Sequence, residues 1–259
     1  MSAGPPSATA AASFPLSGVV HLVRPLGPRV RDLASLRKFL EDAPDRALFY
    51  HCVEHLIRHP AGDERPPDDF SAWAANVLQD REAAERIYFA AQSHNQGAAD
   101  LRAGLLEVLG QLVSRGRHSG DVPDQAALVL LAADSVTLPT GREPATGAEM
   151  LDALAASHVE VWFYHLIEEP WMESGRSPLL GWLIERGEPT YVSRLEEFAS
   201  GNQSLLAARE RLLRKWRMST LARRLADAGG VPDPSRRDAG REAVTRLVKR
   251  VRRAGEPGR

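Results

Sequence analysis

The chain has 259 residues, 43% of them hydrophobic and 26% charged, an ordinary globular composition with enough apolar material for one large or two small cores. No run of about 18 uninterrupted apolar residues occurs, which excludes a conventional membrane span, and the single cysteine, Cys52, excludes an intramolecular disulfide and points to a reducing compartment. The formal net charge of −1 hides an asymmetry: residues 209–259 hold 16 basic and 6 acidic side chains, whereas residues 1–208 hold 17 and 28, so an acidic body carries a basic tail.

Residues 1–13 lack the basic and apolar regions of an export signal and read as a disordered tail, with a cytoplasmic location expected. Val19-Val20-His21-Leu22-Val23 is a short β-branched run stopped by Pro25 and Gly27, read as a strand and a turn. Leu33, Leu36 and Leu40 follow at helical spacing. Pro44 opens a helix with Leu48, Cys52, Val53 and Leu56 inward, and Pro60 closes it. After the loop 61–67, Asp68 and Asp69 stand as N-caps for a helix whose Phe70, Trp73, Ala74, Val77 and Leu78 make one apolar stripe. Helices near 81–91 and 98–115 complete a first half, residues 14–118, and a linker follows over 114–123.

The plan then repeats. Phe49-Tyr50-His51 returns as Phe163-Tyr164-His165, an offset of 114 residues, and Pro25-Leu26-Gly27 returns as Pro139-Thr140-Gly141 at the same offset. Downstream the offset shortens by five, Trp73 matching Trp182. A single repeat this long reads as two homologous half-domains, the second over residues 126–218. It is expected to contain a short strand at 136–138, a helix through Met150, Leu151 and Leu154, a Phe-Tyr-His helix closed by Pro170, and helices near 179–186, 190–199 and 204–216. The two halves are expected to pack about a pseudo-two-fold axis. The fold class is therefore mainly α, or α+β with one short strand per half, and residues 219–259 form a basic extension.

The aromatic-Tyr-His segment in each half, Asp69-Phe70-Ser71-Ala72-Trp73 after the first, and the turn Leu138-Pro139-Thr140-Gly141 occur in an order that resembles the bacterial and archaeal family labelled domain of unknown function 5752. The resemblance covers roughly residues 14–216. Copy two departs from it, with Pro178-Leu179-Leu180-Gly181-Trp182 where an Asp-Phe-x-x-Trp segment is expected. The family label implies an architecture and no activity.

Three functional readings stand beside one another. A non-catalytic binding or regulatory protein would hold a protein or small-molecule partner in the cleft between the halves. A metal-dependent enzyme would use His51 and His55, four apart and so about 40° apart on one helix face, with His165 and Glu169 at the same spacing; a set of three imidazoles and one carboxylate suits Zn²⁺ or Fe²⁺. Glu54 and Glu168 would support it, and Tyr50 and Tyr164 flank it for acid–base work. The bland alternative is that His51 and His165 are buried polar residues bonded across the repeat interface. Trp73 and Trp182, with Asp68 and Asp69, would either line a groove or belong to the core. Cys52 and His51, as helix neighbours about 100° apart, do not form a nucleophile–base pair. Arg246, Lys249, Arg250, Arg252 and Arg253 in the tail give the electrostatic footprint of nucleic-acid binding without a reading motif, or a solvated helix face.

Overall fold

The computed structural model describes residues 13–92, 97–116, 122–173, 175 and 177–227, with side chains to Met218. The chain divides into two compact units, one ending at Glu210 and one beginning at Arg211, so the first proposed half lies in the first unit and the second, 126–218, runs past the boundary by its last eight residues. Of the second unit only the continuation of the helix Leu205–Asp227 is described. The helix expected at 244–251 and all five named tail cations lie outside the described residues, as does the centre of the 114–123 linker.

The expected short strands are longer than their apolar runs and pair with each other. β1, Ser17–Val30, runs antiparallel to β2, Leu128–Pro139, in a two-stranded ribbon. Pro25 and Gly27 do not end β1, because a register shift between Pro25 and Arg29 absorbs them. Gly27 adopts φ +90° there, which glycine alone reaches without strain, and a bulge tolerates a proline that cannot donate to the ladder. His21 pairs with Ser135, and these residues are 114 apart, the repeat offset.

Each strand feeds a capped helix. α1, Leu33–Asp42, is capped by Asp32, whose side chain accepts from Ser35 N while the Ser35 hydroxyl takes the Asp32 N–H. After β2, α6, Gly147–Ala155, is capped by Thr146. The next helix in each half is a composite. In α2, residues 45–58, the α-turn Asp45–Phe49 passes into a π-helical turn, Tyr50–Glu54, and back to His55–Arg58. α7, residues 159–172, has its π-turn at Tyr164–Glu168, the same position plus 114. The expectation that Pro170 closes this helix is corrected. The α-winding restarts at Glu169, so Pro170 falls inside the composite helix just after its π-turn, and the His165 carbonyl in the preceding turn accepts from the Ser177 hydroxyl.

The remaining helices are α3 (Asp69–Asn76), α4 (Arg81–Ala91) and α5 (Ala98–Ser114) in the first half, and α8 (Pro178–Glu185), α9 (Pro189–Ser200) and α10 (Leu205–Asp227) after α7. The core is built from Leu33, Leu36, Leu40, Phe49, Phe70, Leu101 and Leu105 together with Met150, Leu154, Trp162, Phe163, Leu179 and Leu195, all essentially buried. The long loop 59–68 is tied to the second half: Arg65 N donates to Asn202 O, the Ser204 hydroxyl to Gly62 O, and Leu206 N to Pro60 O.

Candidate functional site: a buried imidazole–carboxylate centre

Both Phe-Tyr-His histidines are held in the same way. His51 Nε2 accepts from Leu131 N at 3.0 Å, so the ring proton sits on Nδ1, which donates to Asp69 Oδ2 at 2.8 Å. His165 Nε2 accepts from Ser17 N at 3.0 Å, and its Nδ1 donates to Glu169 Oε2 at 3.0 Å. Ser17 and Leu131 are themselves 114 residues apart, and each stands opposite a proline in the ribbon, Pro139 and Pro25. Each histidine therefore fastens its helix to the strand of the other half. Both rings are buried, and a backbone N–H left without them would cost about 1–3 kcal/mol.

Between these two clips lies a third imidazole that the sequence did not single out. His21 projects from β1 so that Nε2 meets Glu168 Oε2 at 2.9 Å and Nδ1 faces Glu54 Oε1 at 3.5 Å. All three side chains are at most 7% exposed. Phe49 and Phe163 flank the ring, with centroids 5.4 and 6.1 Å away. Carboxylates only accept hydrogen bonds, so a doubly protonated ring would donate to both. Arg58 extends the network, with Nε on Glu54 Oε2 at 2.5 Å and Nη2 on Asp69 Oδ2 at 2.8 Å. Burial raises the Glu54 carboxyl above its ordinary range, against the pull of Arg58 and His21. Burial also pushes Asp69 upward, but the hydrogen bond from His51 and the charge of Arg58 outweigh it, and the net shift is downward.

The π-turns position this centre. An i→i+5 turn inserts an extra residue into the winding, and here it spans the segment from Tyr to Glu in both halves, with Glu54 and Glu168 as the last residue of each. The four-ligand metal set drawn from regular helical spacing does not assemble. Only His165 and Glu169 meet; the partner of His51 is Asp69, and among the described residues no group of three or more His, Cys, Asp or Glu is arranged to hold a metal ion. His55 is buried elsewhere, lining a small void with Cys52, Arg65, Pro66, Asp68 and Tyr88. Burial, reinforced by the charge of Arg65, lowers its pKa to about 3.

The other expected residues have structural partners. The Arg58 guanidinium lies 4.3 Å over the Tyr50 ring, and Tyr164 packs edge-on against His165. Burial raises both phenols, Tyr50 against the opposing effect of Arg58. Trp73 is core, its indole N–H donating to Ala126 O, and Trp182 packs between Phe14 and Arg186. Asp68 caps α3 through Ser71 N, while Asp69 belongs to the His51 clip. Cys52 is buried, and desolvation followed by the charges of Asp68 and Asp69 pushes its thiol well up. What signalled His21 was a lone histidine in a β-branched run; what signalled its partners was that Glu54 and Glu168 occupy equivalent positions.

These features define a mainly helical protein organised on a two-stranded ribbon with an imidazole–carboxylate centre beneath it. Residues 11–217 match the family of unknown function DUF5752, and the chain belongs to that family. Its fold is similar to that of OrfY from Thermoproteus tenax, at 24% identity and a TM-score of 0.62 over 83% of this chain and 97% of that one. No curated protein matches the chain significantly. No helix among the described residues is long and apolar enough to cross a membrane.

Proposed function

We propose that this is a non-catalytic partner-binding protein: two halves related by a pseudo-two-fold axis, clipped together by the histidine centre, with the outer face of the ribbon as the recognition surface. The supporting observation is that face. Val20, Leu22, Val136 and Leu138 are 48, 60, 41 and 49% exposed. Val20 pairs with Val136, and residues two apart share a face of a strand, so the four form one apolar patch on the side opposite His21. Contiguous exposed apolar surface on a soluble fold marks an interaction site. At one end of the patch Asp134 is shared by Arg24 and Arg46, which leaves one positive charge in excess there. The partner this suits is a protein with an apolar face bordered by a carboxylate.

The metal-enzyme reading loses its support because the ring nitrogens of His51 and His165 are already engaged within the protein. A photo-crosslinking residue at Leu22, compared with one at the exposed Arg81 on α4, tests the proposal in the native host. A discrete heteromeric adduct from position 22, abolished by Val136→Asp and absent from position 81, is expected. Equal adduct patterns from the two positions would overturn the assignment, and an adduct between two copies of the chain would make the partner a second protomer.

A further inference from the structure

Resting on the ribbon-face reading, we propose that the partner contributes an extended strand that pairs with the free edge of β1 at His21 and Val23. The two clips fix the pairing parity. Ser17 N and Leu131 N donate to His165 and His51, not across the ladder, and each stands opposite a proline, Pro139 and Pro25, which has no N–H to give. Along an antiparallel pair, residues bonded to each other alternate with residues whose N–H and C=O point away. His21 and Val23 share the parity of Ser17, so both turn their backbone groups to the outer edge of β1. Among the described residues, neither backbone is bonded to an element outside the ribbon.

At this end of the ribbon β2 is the inner strand. Ala132 and Ala133 are fully buried, His51 of α2 holds Leu131 N, and Arg46 of α2 pairs with Asp134. β1 lies outside it: Leu22 and Val23 are 60 and 47% exposed, and Arg24 and Pro25 are exposed as well. Successive strand residues point to opposite faces, so β1 is uncovered on both faces here, and an added strand would meet Leu22 on one and Val23 on the other. An open edge of unpaired N–H and C=O groups is a template for another chain, and in this mode main-chain bonds supply affinity while alternate side chains supply selectivity. Pro25 and the register shift after it end the edge, which keeps the paired segment short. Arg24 places a cation at that end, where β2 has Leu138, 114 positions on. The occupant this suits is a short extended segment with apolar residues at alternate positions and a carboxylate at one end.

The probe is an acetylated heptapeptide of alternating valine and threonine with a glutamate at each end, titrated into the ¹⁵N-labelled full-length chain. Two isomers carry backbone N-methyl groups, one on the odd and one on the even positions. Saturable shifts of the His21 and Val23 amides are expected. One isomer should bind about thirtyfold more weakly than the parent, the ratio for two net backbone hydrogen bonds, and the other should bind like the parent. Val23→Pro removes an edge donor that the ladder does not use, as Pro25 does two residues on, and should abolish binding while leaving urea unfolding unchanged. Thr137→Pro, the equivalent change on the β2 edge, should leave binding intact. Absence of saturable shifts, equal affinity of the two isomers, undiminished binding to Val23→Pro, or equal affinity for a lysine-ended peptide would each overturn the strand pairing. The ribbon-face reading fails separately, through the absence of an adduct from position 22 in the host; an adduct that survives Val23→Pro but not Val136→Asp would keep the face and overturn the strand.

Discussion

His55 and Asp68 line the same small void, and their protonation shifts oppose each other in a way that unfolding experiments will detect. Burial, with Arg65 adding to it, lowers His55 from 6.5 to about 3. Burial raises Asp68 from 3.8 to about 6, although the hydrogen bonds from Ser71 pull the other way. At pH 5 the unfolded chain carries the proton on the histidine and the folded chain carries it on the aspartic acid. Each state binds one proton at this pair, so the pair contributes no slope to stability between about pH 4 and 6. The single variants separate the two. Asp68→Asn keeps the helix cap and leaves His55 alone. A histidine with a depressed folded pKa contributes stability that is lost as pH falls below its unfolded value, so this variant should gain about 1.4 kcal/mol per pH unit relative to wild type from pH 4 to 6. His55→Gln leaves the raised Asp68, whose contribution is present at low pH and lost as pH rises toward 6. Its difference from wild type should run the opposite way by about the same amount, roughly 2.7 kcal/mol over two pH units. Urea unfolding at pH 4, 5, 6 and 7 measures both differences. Three parallel stability–pH curves would refute the proton exchange.

Three further outcomes follow from the clips and the core. His51→Ala and His165→Ala each strand a strand N–H and a carboxylate, and each should cost about 2–4 kcal/mol in urea unfolding; a loss under 1 kcal/mol for either would show that its clip does not hold the halves. His21→Leu leaves Glu54 and Glu168 buried without the imidazole between them and should cost about 1–3 kcal/mol. Adding Glu168→Leu should recover part of that loss, and a strictly additive double variant would mean that the two groups are not coupled. Cys52 should be silent to a thiol reagent in the native protein and react fully in denaturant; prompt native labelling would contradict its burial.

Much of the architecture was legible because helices announce themselves through spacing. Leu33, Leu36 and Leu40, or Phe70, Trp73 and Ala74, state their inward face directly, and the 114-residue offset aligned Phe49-Tyr50-His51 with Phe163-Tyr164-His165 before any coordinates. The strands were underestimated because Pro25 and Gly27 punctuate a sequence even where a bulge accommodates them. The metal set failed for a different reason. Periodicity supplies the face of a helix but not its winding, and the π-turns at Tyr50–Glu54 and Tyr164–Glu168 leave no mark in composition. Nor could spacing tell that Asp69, read as an N-cap, would answer His51 from the next helix.

The position of His21 follows from the same symmetry argument that misplaced the metal. Under the two-fold axis we propose, only the central pair of the antiparallel strands consists of residues 114 apart, and that pair is His21 and Ser135. Groups arriving from the two halves converge there, which is why Glu54 and Glu168, 114 residues apart, both reach the one ring. A histidine at position 135 would place a second imidazole on the axis, where the two carboxylates are already engaged by the first. Serine leaves the room. Ser135→His, which would set a second imidazole opposite His21, should therefore destabilise the protein where an ordinary exposed strand substitution would stay within about 0.5 kcal/mol.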